Sequence, residues 1–253
     1  MVRSFDLVDY KVAEAEFFLK RISKCDLDFF AARCYVSAFV SSSRSATFAI
    51  QACLKDFASF DKWYVEWQSI LKNNELAKFF NEFRRVNQHI GVNPIDMGMT
   101  GPSQKSVYFF HPTPDLKEVP SEDVESACKS YFMMILELVY SCYLEFGRII
   151  DPKMYYTEEH FAKMCKTIED AEEEIFGISG WTKVPDCPDT YRWQILRDSQ
   201  PGCGINDIFE TYLGKTTPQP KRLPEISLSE DEGLYLTKKG NVWIPPDFRI
   251  SDG

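Results

Sequence analysis

Apolar residues over the first 150 positions recur at three- and four-residue steps, a spacing that predicts a run of helices. Residues 9–22 carry Val12, Ala15, Phe18, Leu19 and Ile22 on one stripe. The strongest pattern comes next. Phe29, Ala32, Val36, Phe39, Ser43, Ala46, Ile50, Cys53 and Phe57 step 3,4,3,4,3,4,3,4 without a slip. Such a repeat predicts one long helix packed at a shallow angle along a partner. Residues 60–71 continue as helix with Asp61 as N-cap, and Trp63, Tyr64 and Trp67 read as core or dimer face rather than as a platform for bases. Leu76, Phe79, Phe80 and Phe83 mark a further helix from Glu75, stopped by Gly91 and Pro94.

Residues 92–120 break the pattern. Gly, Pro and Asn at turn spacing predict an irregular excursion, with SVYFFH as a short strand or extended stretch and His111 at the surface. Ser121 is the expected N-cap of a helix to Ile150, whose broad apolar face suits the long helix. Beyond Pro152, Thr157 is expected to cap a helix from Glu158 to Phe176. Ala162, Cys165, Ile168 and Ile175 should face inward, and Glu169, Asp170 and Glu172–Glu174 outward. Short helices are expected at 190–197 and 205–213, a linker composition at 214–233, and a small hairpin over Lys239–Gly240. The expected fold class is therefore all-α: a helical bundle over residues 1–150, an acidic helical extension over 151–213, and a tail over 214–253.

Composition adds limits. The chain has 253 residues, 44% of them apolar and 26% charged, an ordinary globular balance. No stretch reaches the ~20 apolar residues of a membrane span. The N-terminus acquires acids at once, so neither a signal peptide nor a membrane anchor is expected. Cys25, Cys34, Cys53, Cys128, Cys142 and Cys165 fall singly on apolar helical faces, there is no CxxC, and a reducing cytoplasm is the expected setting. Cys187 and Cys203 lack histidine partners, and His160 lacks a second ligand at metal spacing, so no metal and no cofactor is implied. The net charge is −9, and residues 1–150 hold 17 Lys+Arg against 19 Asp+Glu. Without a broad basic face, duplex DNA is not an expected partner. Arg33 and Arg44 lie off the seam of the long helix and read as solvated or paired charge.

One segment concentrates chemistry. Arg84, Arg85, Asn87 and His89 fall within six residues at the end of the Phe-rich helix. Imidazole exchanges a proton near neutral pH, and guanidinium binds phosphate oxygens through a fork of donors. Together they suit attack on a phosphodiester by an RNA 2′-hydroxyl, without a metal. In a regular helix, residues five apart are offset by about 140°, so the pair aligns only if Arg84 reaches or the helix loosens before Gly91. Spacing alone favours surface charges at Arg84 and Arg85 and a helix cap at His89.

The long small-residue-rich helix, the aromatic Trp63–Tyr64 segment, Phe-x3-Arg-x4-His-x-Gly and the closing helix resemble the HEPN superfamily over residues 9–150. The resemblance implies a HEPN-like bundle that forms a homodimer. Arg84 and His89 of two subunits would meet in one cleft for metal-independent RNA cleavage, as in toxin–antitoxin or phage-defence roles. Arg85 stands where that family commonly has a polar residue such as Asn; Arg85 or Asn87 would then supply the missing hydrogen bond. Inactive members imply the alternative, a scaffold that binds a protein partner through the acidic C-terminal part, the loop at 92–120 and the 214–233 tail.

Overall fold

The computed structural model describes residues 5–100, 105–183, 189–223, 237–239 and 242–244. The chain divides into two compact units, residues 1–220 and 221–253. The first is an all-α helical bundle with one β-hairpin. Its helices are α1 (Asp6–Ile22), α2 (Phe29–Leu54), α3 (Phe60–Asn73), α4 (Glu75–Arg85), α5 (Val124–Ile150), α6 (Pro152–Tyr155), α7 (Glu158–Lys163), α8 (Ile168–Phe176), α9 (Asp189–Asp198) and α10 (Asn206–Leu213). Strands β1 (Ile95–Thr100) and β2 (Lys105–Phe110) lie between α4 and α5.

The heptad seam of α2 forms the centre of the core. Val36, Phe39, Ala46 and Ile50 are fully buried, and so are Phe132, Ile135, Leu136 and Val139 of α5. Ser43 is buried on the same seam. Asp28 caps α2 by accepting a bond from the Ala31 N–H at 2.9 Å. Trp63 and Trp67 both donate their indole N–H to Ser141 Oγ, at 3.2 and 3.1 Å. With Trp63 edge-on to Phe146 at 5.3 Å, this aromatic segment is inward-facing core.

The excursion at 92–120 is more ordered than its composition suggests. Ile95 pairs with Phe110, Met97 with Tyr108, and Gly98 with Val107 in an antiparallel ladder. Alternation on β2 sends Tyr108 and Phe110 inward. Phe110 packs on Phe79 and Phe83 of α4, with ring centroids 4.7 and 5.6 Å apart. The hairpin therefore covers the Phe-rich face of α4. His111 Nδ1 lies 3.1 Å from Asp96 Oδ2 across the ladder.

Several local expectations need correction. Asp61 sits inside the first turn of α3, where it complements the helix dipole, and Ser59 precedes the helix without a side-chain cap bond. The cap of α5 is Asp123, not Ser121, because its carboxylate reaches the Ser126 N–H at 2.9 Å. The helix expected over 158–176 is two helices. Thr157 caps the first as expected, but Cys165 turns back at φ 56° and Thr167 opens the second with a capping box shared with Asp170. Ala162 and Cys165, expected inward, are consequently exposed. Cys34 is exposed as well, while Cys25, Cys53, Cys128 and Cys142 are buried. Glu172, expected outward, is fully buried. Cys187 and residues 224–233 of the linker reading lie outside the described residues. In the second unit, β3 (Thr237–Lys239) and β4 (Val242–Ile244) pair antiparallel, Lys239 opposite Val242.

Helix α1 is tied to α5 and the segment before α10 by one buried carboxyl. Asp9 accepts from Tyr143 Oη at 2.8 Å and from the Gly204 N–H at 2.8 Å. Burial nonetheless outweighs these donors and raises its pKa to about 6. A raised folded-state value favours the protonated form. Asp9 therefore contributes stability in full below its ordinary range, and this is lost as pH rises through about 6. Between pH 4 and pH 7 the urea stability of the wild type should fall by about 2 kcal/mol relative to Asp9→Asn. A difference between the two proteins that stays constant over that range would rule out this assignment.

Candidate functional site

Helix α4 and the turn at its C-terminal end place the candidate residues. Asn74 caps α4, its side chain accepting from the Ala77 N–H at 2.9 Å. Phe79, Phe80 and Phe83 anchor one face in the core, which sets the rotation of the helix and the placement of Arg84. At Val86 the helix widens to a π turn over Val86–Ile90, closed by Gly91 N–H to Val86 O at 3.1 Å. Gly91 ends it in the left-handed region at φ 80°, a conformation that costs any side chain bearing a Cβ. Bonds between residues five apart bring such residues toward the same side of the helix, so the turn reduces the angular offset between Arg84 and His89.

The four sequence candidates fare differently. Arg84 is half-buried, and its Nε is buried with no hydrogen-bond partner. His89 is exposed at the end of the π turn. Arg85 is exposed and forms an ion pair with Glu82 at 2.5 Å, a contact within its own helix. Asn87 is half-buried and accepts from Ser37 Oγ at 2.6 Å, so its carbonyl oxygen holds the π turn against α2. Gln88 extends that attachment by donating to Ser41 Oγ. Ser41 and Ser45 donate back to the carbonyls of Ser37 and Ser41, both at 2.8 Å. The serine stretch of α2 is thus the polar floor beneath the turn that carries His89.

Two further residues lie on the helices that pack against α4: half-buried Arg44 on α2 and the core residue Tyr131 on α5. Tyr131 of α5 has its ring between Phe80, stacked at 4.6 Å, and Phe39, edge-on at 6.4 Å. Burial pushes its phenol up to about 12, and the positive charges of Arg44 and Arg84 both pull against that rise. Arg44 donates through Nη1 to Thr47 Oγ1 at 3.2 Å, and its guanidinium lies 4.4 Å from the centroid of the Phe48 ring. Sequence pattern marks Arg44 only as an arginine between serines. Arg33 lies 5.5 Å from the Phe29 ring centroid.

Elsewhere, burial first, then Arg148 and Lys163, favours the neutral form of His160. Among the described residues no three His, Cys, Asp or Glu side chains gather as a metal site, and no helix is long and apolar enough to cross a membrane. Comparison with protein-family models, with curated proteins and with solved structures finds no match.

Proposed function

We propose that the protein is a metal-independent endoribonuclease in which Arg84 binds the scissile phosphate and His89 moves the proton, the full cleft forming between two subunits. The observation that carries this reading is the buried, unpartnered Nε of Arg84, one widened turn from an exposed imidazole. A buried guanidinium N–H without an acceptor costs free energy, and a phosphate oxygen supplies that acceptor. The RNA 2′-hydroxyl attacks the adjacent phosphorus after losing its proton to imidazole. Negative charge then builds on the non-bridging oxygens, where a guanidinium stabilises it. The 5′-oxygen leaves with a proton from the second imidazole, and a 2′,3′-cyclic phosphate remains. A single exposed histidine supplies one proton carrier, so a second copy of His89 across a dimer supplies the other. Asn87 and Arg85 are support: the first fixes the turn to α2, and the second is paired with Glu82 on its own helix.

The test is direct. Purified protein with excess chelator should cleave single-stranded RNA and leave cyclic phosphate ends, and it should sediment as a dimer. Cleavage that requires added magnesium would sink the mechanism.

A second reading, a non-catalytic module that binds a protein partner, is favoured by one surface. Trp181 stacks on Phe176 at 4.1 Å and is 49% exposed, beside Ile178 at 57% exposed. An exposed aromatic pair of this kind is suited to a partner. Partner binding that survives His89→Ala but fails in Trp181→Ala, in a protein that leaves RNA intact, would select this reading.

A further inference from the structure

The segment over residues 203–219 carries α10, lies against α5 and reaches α1. Its apolar side is buried through Ile205, Ile208 and Phe209. Phe209 meets Tyr140 and Tyr143 of α5 edge-on, with ring centroids 5.4 and 6.0 Å apart, and Tyr212 meets Phe132 at 5.1 Å. The polar ties of the segment run to acids of the bundle. Near one end the Gly204 N–H donates to Asp9 of α1 at 2.8 Å. At the other end Gln219 Nε2 donates to Asp151, the residue after α5, at 3.3 Å. Between them Lys215 pairs with Glu137 at 2.7 Å, and Tyr140 Oη donates to the Thr216 carbonyl at 3.1 Å.

The two end ties differ from the middle one. The Glu137 side chain is 42% exposed and faces a cation. Asp9 and Asp151 are 8% and 1% exposed, and their donors are neutral: Tyr143 Oη and the Gly204 N–H for Asp9, the Lys153 N–H and the Gln219 amide for Asp151. Gly204 covers the Asp9 carboxyl so closely that a Cβ there would lie 3.3 Å from Oδ2. Burial disfavours the charged form of both carboxyls and outweighs their donors, so both lie above the ordinary range, Asp9 at about 6. The other groups facing them do not reverse this. Asp6 on α1 is a further acid, and Asp9 and Asp151 each act on the same side. Burial, then Asp9, keeps the proton on Tyr143 and on the Cys203 thiol. Lys153 of α6 favours ionised Asp151, and burial outweighs it there as well. A raised folded-state value means that each tie is fully made below the ordinary carboxyl range and weakens as pH rises through the folded value. Opening of this one segment returns the carboxyls to water without disturbing the heptad seam of α2.

We propose that residues 203–219 are a strap latched at its two ends by protonated Asp9 and Asp151, which loosens from α1 and α5 as pH rises and bares the α5 face of Phe132, Tyr140 and Tyr143. The strap does not depend on the nuclease reading.

Native-state hydrogen exchange of the full chain reads the strap directly. Protection of the amides at 204–213, corrected for the intrinsic rate at each pH, should fall about 100-fold between pH 4 and pH 7.5, the ratio set by moving a carboxyl from its ordinary 3.8 to about 6. At pH 7.5 these amides should be about tenfold or more less protected than those at 36–50 of α2, because the strap opens without the bundle. Asp9→Asn keeps an acceptor for Gly204 and has no proton to lose, so its strap should hold its protection across the range. Asp151→Asn should remove part of the pH dependence, and it carries the test if Asp9→Asn does not fold. Equal protection of strap and α2 at pH 7.5 would show that the segment opens only with the whole bundle. A fall in protection of the same size in the wild type and in the Asn variants would place the titrating group elsewhere. Either result overturns the strap.

Discussion

RNA cleavage by the His89→Ala variant should fall by about 10²- to 10⁴-fold in kcat, the range expected for loss of a positioned proton carrier. His89 is exposed at the end of the π turn, so its truncation leaves the core untouched. The variant should therefore unfold at the wild-type temperature, and the loss should be chemical. Under the nuclease proposal Arg84→Gln should depress cleavage to a comparable degree but also weaken phosphate binding, because the proposed Arg84–phosphate contact exists in both ground and transition states. Mixing His89→Ala with wild type adds a further readout. If the cleft is composite, a heterodimer of His89→Ala with wild type retains only one of two proton carriers, and activity should fall more steeply than the wild-type fraction. Equal rates for wild type and His89→Ala on a panel of single-stranded RNAs would end the nuclease reading.

The largest expected loss of stability lies far from that surface. Arg192→Ala should destabilise the region built from α7, α8 and α9 by about 3–5 kcal/mol, the cost of leaving a buried charge without its partner. The Arg192 side chain is 6% exposed and that of Glu172 is 0% exposed, with Nη2 to Oε1 at 3.2 Å. Arg192 also donates to Glu169 at 3.0 Å, to Asp189 at 3.0 Å and to Thr182 Oγ1 at 3.1 Å. The remaining lone pairs of Glu172 are filled by the N–H groups of Thr182 and Gly180 and by the Thr182 hydroxyl. Burial alone would raise the Glu172 carboxyl; the donors from Thr182, Gly180 and Arg192 overcome it and hold it below its ordinary value. A depressed folded-state value means stability that is present above the ordinary carboxyl range and lost as pH falls through the folded value. Arg192→Lys keeps the charge but cannot reach four acceptors at once, so it should recover only part of the loss. Hydrogen exchange across residues 177–183 is the sensitive measurement, since Glu172 is what holds the Gly180 and Thr182 N–H groups. Wild-type protection there in Arg192→Ala would show that the network does not support the segment.

The sequence determined the main helices because their signal is local. Buried positions on a helix repeat at its own period, so the unbroken steps from Phe29 to Cys53 specify α2 and its core face without knowledge of any partner. The same holds for the Phe face of α4 and the long apolar face of α5. Local capping chemistry was legible only in part: Thr157 reads correctly from sequence, whereas Ser121 and Asp123 compete for the same role and only backbone geometry chooses between them. The strand at Lys105–Phe110 was legible, but its pairing with Ile95–Thr100 was hidden because a two-stranded ribbon gains its stability from packing Phe110 on α4, a contact no local pattern encodes.

Charges show the limit most clearly. Glu172 stands in an acidic run and reads as solvated, yet an arginine 20 residues later reaches it once α8 and α9 pack. Asp9 becomes a buried carboxyl only when Tyr143 and Gly204, distant in sequence, close over it. Arg84 and His89 were candidates from residue type and spacing alone. The bonds from Ser37 to Asn87 and from Gln88 to Ser41, which attach the widened turn to α2, required two distant helices to meet. Sequence fixes which faces are apolar because hydrophobic burial is periodic and non-directional. Where polar groups pair, and which of them are left without a partner, depends on directional contacts between segments far apart in the chain, and so only the tertiary structure decides it.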